Sequence, residues 1–152
     1  MPNIEELAFL NAIILGKDRP VIDLITATMA ELHPYSSLLR FADIEKLKKQ
    51  LTIKKHELLI IDLQNGTTGV NEFIIYCKKK YPKLKILIID GSGDISIIKD
   101  FFEIGINGFV SAEISAYELT IALQKMFSGE KYVGTGLSGK LISSFFSLQK
   151  RG

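Results

Sequence analysis

A single cysteine, Cys77, excludes an internal disulfide and a cysteine-based metal cluster, and it fits a reducing cytoplasm. Histidine is almost as scarce. His33 and His56 have no acidic or cysteine partner at ligand spacing, so neither reads as a metal ligand or a catalytic base. No charged-then-apolar leader opens the chain, and no apolar run is long enough to span a bilayer. Repeats and low-complexity tracts are missing as well. The formal net charge is only +2, too small to argue for nucleic acid or membrane. Lysines gather locally at 46–49, 54–55 and 78–80, and without interleaved aromatics they read as solvated helix faces.

What remains is an ordinary globular balance over 152 residues, 47% hydrophobic and 24% charged, enough for one domain with a full core. The organising stretch is residues 57–69, ELLIIDLQNGTTG. Its apolar run ends on Asp62 and is followed by turn residues, the pattern of a fully buried strand in a parallel sheet. Similar runs are centred on residues 12–15 and span 84–90. Weaker strands are expected at 35–41 and 107–111. Between them lie helical spacings: 20–32 behind Asp18, 44–51 behind Asp43, 70–80 before Pro82, a helix behind Asp94 that stops at Gly105, and one opened by a Ser115/Glu118 capping box. Residues 129–136 read as a loop and 137–150 as a last amphipathic helix.

Strands alternating with helices predict an α/β fold, a doubly wound parallel sheet of five strands in the order 2-1-3-4-5, flavodoxin-like, with an extra C-terminal helix. In such sheets the chemistry sits beyond the carboxyl ends of the strands. That places Lys17, Asp18, Asp62 and Asp90 at one end of the sheet. Asp62 reads either as a chemical centre or as a strand-end carboxylate bonded to turn amides.

The segments IILGKDRPVI, ELLIIDLQNGTTG, KILIIDGSGD, FFEIGINGFVSAEISAYELTIAL and GEKYV resemble the receiver domain of bacterial two-component response regulators of the NarL/LuxR type. The resemblance covers about residues 11 to 141. It implies a receiver over 8–130 and a C-terminal helix or linker over 131–152, with two alternatives: a regulator that continues into a DNA-binding domain, or a stand-alone receiver. It implies a cytoplasmic phosphorelay protein of transcription regulation, not an enzyme. Its partners would be a histidine kinase or another signalling protein, a second copy of itself, and DNA only through that further domain; no membrane contact is implied.

Asp62 then matches the phosphoacceptor, and Phe109 the aromatic switch position of the fifth strand. Phe101 and Phe102 fall on the signalling helix before it. The departures are as informative. The acidic pair that holds Mg²⁺ is reduced to Asp18 beside Lys17. Asp90 stands at the Thr/Ser position, and Ala112 at the position of the phosphoryl-binding lysine. Mg²⁺ at Asp18 and Asp62 is thus the metal the resemblance implies, with a depleted ligand set. An ion pair between Lys17 and Asp62 is expected to take its place, with Asp90 repelling an incoming phosphate. The expectation is a pseudo-receiver with weakened chemistry that works through protein contacts. The alternative is a small nucleotide- or flavin-binding protein or enzyme on a flavodoxin-like fold. The near P-loop GTGLSGK at 134–140 fails at Leu141, where a hydroxyl is needed, and reads as a loop and helix start.

Overall fold

The computed structural model describes residues 10–17, 19–32, 36–65, 68–91 and 94–137. Along the chain run β1 (Asn11–Leu15), α1 (Arg19–Leu32), β2 (Ser37–Phe41), α2 (Ile44–Ile53), β3 (Leu58–Asp62), α3 (Val70–Lys80), β4 (Lys85–Asp90), α4 (Ile95–Ile104), β5 (Gly108–Ser111), α5 (Ala116–Phe127) and β6 (Tyr132–Val133). All strand pairs are parallel, in the order β2-β1-β3-β4-β5-β6. The expected order of the first five holds, and a sixth strand is added at the edge. Tyr132 and Val133 pair with Gly108 and Phe109 where the sequence suggested a loop. Two residues are too few to show a strand period.

β3 lies at the centre and is buried along its whole length. Strand alternation divides the core into two layers. Ala12, Ile14, Leu58, Ile60, Leu87 and Ile89 face α1 and α5. Ile13, Leu15, Leu59, Ile61, Ile86 and Ile88 face α2, α3 and α4. Burial on both faces explains why β3 and β4 read as continuous apolar runs.

The helix starts follow their local signals. The Asp43 carboxylate accepts from the Glu45 and Lys46 N–H groups, and the Asp94 carboxylate accepts from Ser96 N–H. α4 ends at Gly105, whose φ of 114° suits glycine alone. The Ser115 hydroxyl accepts from Glu118 N–H at 3.1 Å, which is half of the expected capping box. The Glu118 carboxylate is turned elsewhere: it accepts from the Tyr132 hydroxyl at 3.3 Å and from Thr135 N–H at 3.2 Å, tying β6 down onto α5. Asp18, expected as a helix cap, His33, and the expected 137–150 helix after Leu137 lie outside the described residues.

Cys77 is fully buried with Phe73 and Ile74 on the inner side of α3. Burial pushes its thiol pKa up to about 12, against a smaller downward pull from Lys48 and Lys78. At pH 8 the thiolate fraction is then on the order of one in ten thousand. The native chain is therefore expected to react with an aromatic disulfide reagent far more slowly than the urea-unfolded chain. Equal rates in the two states would contradict this packing.

Candidate functional site

The site begins with the way β3 ends. Asp62 is 3% exposed, and its Oδ1 accepts the Gln64 N–H at 3.0 Å. That bond closes a short side-chain turn at the head of the 3-10 turn Leu63–Asn65. It is the inert role the sequence left open for this carboxylate, and it engages one of its two oxygens. β1 runs alongside and reaches Gly16, whose N–H donates to Phe41 C=O at 2.9 Å. A Cβ placed on Gly16 would lie 2.8 Å from the Asp62 Cβ. Only glycine lets the end of β1 approach the Asp62 side chain this closely.

Beside Asp62 lies a cavity of about 150 Å³, whose wall includes Gly16, Lys17, Ala42, Asp62 and Thr68. It sits between the carboxyl ends of β1 and β3 and the starts of α2 and α3. Lys17 and Asp62 therefore share one cavity, as their strand positions suggested. The expected Lys17–Asp62 ion pair is not formed: Lys17 is exposed, and no ion pair joins the two among the described residues. The Asp62 carboxylate bonds down its own turn, whereas Lys17 stands on the rim. Gly16, Ala42 and Thr68 are wall residues that sequence reasoning did not single out. Gly16 carried a signal, since a glycine directly after a buried strand often marks close backbone approach.

Asp90 and Ala112 belong to the neighbouring strand ends. Asp90 is 8% exposed at the end of β4, and Ala112 N–H donates to its C=O at 3.2 Å. The register pairs Asp62 with Ile89, not with Asp90. Alternation then sets Asp90 on the layer of Ile86 and Ile88, whereas Asp62 continues the layer of Ile60. Ala112 packs against the Asp62 layer. Neither Asp90 nor Ala112 lines the cavity beside Asp62.

Phe109 is fully buried on the α4 side of β5, with its ring centroid 6.3 Å from that of Phe101. Phe101 is buried, and Phe102 is partly buried against the same layer with the Lys131 ammonium 5.9 Å from its ring centre. Both rings of the Phe101–Phe102 pair are therefore accommodated within the chain. Gly134, which opens the near P-loop, donates its N–H to Phe109 C=O at 2.8 Å and so extends the β6 pairing. Among the described residues no group of three or more His, Cys, Asp and Glu side chains is placed to hold a metal ion. No helix among them is long and apolar enough to cross a membrane.

No protein-family model and no curated protein sequence matches the chain. Solved structures do match. The isolated receiver domain of RcsB from Salmonella enterica serovar Typhimurium, solved with the phosphomimetic BeF3−, superposes with a TM-score of 0.73 at 22% identity, over 85% of this chain and 96% of that one. A structure of two RcsB dimers bound to two parallel DNAs gives a TM-score of 0.73 at 22% identity over 87% of this chain, which spans 66% of that protein's length. A LuxR-family DNA-binding response regulator from Silicibacter pomeroyi gives 0.66 at 13% identity, over 82% of this chain and 95% of that one. The chain has the fold of a response-regulator receiver domain.

Proposed function

We propose that this chain is a receiver-type signalling domain in which Asp62 keeps the phosphoacceptor position while the groups that assist phosphoryl transfer are depleted. The observation that carries the reading is the place of Asp62, at the carboxyl end of the central strand of a 2-1-3-4-5 sheet with a cavity beside it. Phosphoryl transfer depends on positioning and on positive groups that receive the developing charge. Ala112 has no ammonium to offer. Asp90 adds a carboxylate where a hydroxyl would be needed. Lys17 is the cation that this wall retains.

Receiver domains typically hold Mg²⁺ at this place. A Mg²⁺ ion asks for six oxygen donors in near-octahedral array, usually including one or two carboxylates. Among the described residues Asp62 is the one carboxylate lining the cavity, one of its oxygens accepts Gln64 N–H, and an ammonium shares the wall. The described residues do not fit a Mg²⁺ centre, and none is invoked. Asp18, the second ligand of the expected pair, lies outside them.

Output then runs through protein contact, on the face built by α4, β5 and α5 around Phe109 and Phe101. The partners in this reading are a histidine kinase or another signalling protein, and a second copy of the chain. Contact with DNA would come only through a further domain. The reading is non-enzymatic, and it places the chain in the cytoplasm with those partners.

Intact mass after incubation with acetyl phosphate and Mg²⁺ tests it. Wild type is expected to carry a minor phosphoryl adduct or none, and Asp62→Asn none. A near-complete adduct on wild type that Asp62→Asn abolishes would mean a fully working receiver and would overturn the depleted reading. An adduct that survives Asp62→Asn would remove Asp62 from the phosphoacceptor position.

A further inference from the structure

A second cavity among the described residues lies at the other end of the sheet. It is an open cleft of about 560 Å³, within the range of small-molecule sites. Three stretches build it: the end of α2 with the entry into β3, the loop from α3 to β4, and the end of α5 at Phe127. It reaches His56 and Glu57, just before β3, whereas Asp62 closes that strand about 16 Å further on by strand rise. The cleft is therefore separate from the cavity at Asp62.

Its chemistry is lopsided. Leu51, Ile53, Leu84 and Phe127 give it apolar walls, and Ile53 is 76% exposed at the rim. Lys54, Lys55, Lys83 and Lys85 also line it, and none of the four is in an ion pair among the described residues. Glu57 is the one acidic residue of the lining, and its carboxylate already accepts Asn11 N–H at 3.2 Å. The lysines at 54 and 55 thus border an apolar cleft, which the plain reading of a solvated helix face does not supply.

His56 adds a polar group to the wall. It is 6% exposed, and its Nε2 lies 3.4 Å from Gln50 Nε2. An amide NH₂ can only donate, so Nε2 accepts and the ring proton sits on Nδ1. That N–H is buried and has no acceptor among the described residues. A buried donor without a partner is costly, and an oxygen acceptor would relieve it.

We propose that this cleft binds a small anionic amphiphile, a molecule with an apolar body and one carboxylate. The body lies against Leu51, Leu84 and Phe127, and the carboxylate sits among the lysines within reach of His56. This proposal does not rest on phosphorylation at Asp62.

The test is a two-dimensional amide NMR titration of the full chain with sodium decanoate, kept below its micelle concentration. Decanol serves as the neutral homologue and Lys54→Glu/Lys83→Glu as the charge-reversed variant. Both lysines are exposed, so the variant should keep a dispersed, wild-type-like spectrum. Saturable decanoate shifts are expected on the amides of Leu51, His56, Leu84 and Phe127. Affinity should fall by about tenfold in the variant and by a similar factor for decanol. Absence of saturation, shifts centred on Asp62, or equal affinity for decanol and decanoate would overturn the proposal. So would shifts at the same amides on raising protein concentration alone, which would assign the cleft to a second copy of the chain.

Discussion

Gly16→Val is expected to be among the most destabilising single changes in this chain, costing about 3 kcal/mol or more. The reason is space and not backbone angle, because Gly16 is not among the glycines with positive φ. A Cβ there would meet the Asp62 Cβ at 2.8 Å, inside any tolerable contact. The Asp62 Cβ cannot give way by a side-chain rotation, since it is fixed to the backbone of the fully buried central strand. Gly16 cannot retreat without losing its 2.9 Å bond to Phe41 C=O and spreading β1 from β2. Overpacking a rigid site usually costs 1–3 kcal/mol, and two branched methyls added to the Cβ take the cost to the upper end. Gly136→Val is the control: no atom lies within 4 Å of the added Cβ, so a change below about 0.5 kcal/mol is expected. Urea titration reads both. With an m-value of about 1–3 kcal/mol/M, the Gly16→Val midpoint should fall by at least about 1 M. A midpoint equal to that of the control would show that β1 and β3 do not approach as closely as described.

The Gly16–Asp62 contact also marks the boundary of what can be read from the sequence. Signals confined to a few neighbouring residues came through. Asp43, Asp94 and Ser115 cap helices as their side chains predict, Gly105 stops α4, and α3 spans 70–80 as its apolar spacing and Pro82 indicate. The buried runs of β1, β3 and β4 were plain because both faces are covered. Features that depend on distant residues did not come through. Gly16 and Asp62 meet across two strands. β6 has two residues and is held by Glu118, which the local pattern assigned to a helix cap. The lysine cleft is assembled from three separated stretches, residues 51–57, 81–85 and Phe127, so the lysines at 54 and 55 taken alone looked like solvated surface. The site itself was legible as a set of strand ends but not as a geometry. Position in sequence put Lys17, Asp62 and Asp90 together. Register and alternation put Lys17 and Asp62 on one cavity and set Asp90 on the other layer.

That division makes the depleted reading testable by addition. Ala112→Lys combined with Asp90→Thr is expected to raise the rate of phosphoryl adduct formation at Asp62 by about a hundredfold over wild type. Ala112 follows β5 directly, its N–H bonded to Asp90 C=O, and it packs on the Asp62 side of the sheet. A four-carbon stem from that position can carry an ammonium over the strand ends, where it would meet a phosphoryl oxygen. Removing one preorganised donor of this kind typically costs 10²–10³ in rate, and restoring one sets the scale of the expected gain. Asp90→Thr removes a negative charge from the neighbouring strand end, which lowers the repulsion felt by an anionic donor. Neither change opens a cavity, because Lys adds volume at the partly buried Ala112 and Thr is close in volume to Asp. Time-resolved intact mass with acetyl phosphate gives the rate, and Asp62→Asn in the same background confirms where the group sits. If the double variant gains nothing while its urea midpoint stays at the wild-type value, the missing groups are not what limits Asp62. The limit would then lie in its 3% exposure and its bond to Gln64, and the carboxylate would be a turn-former first.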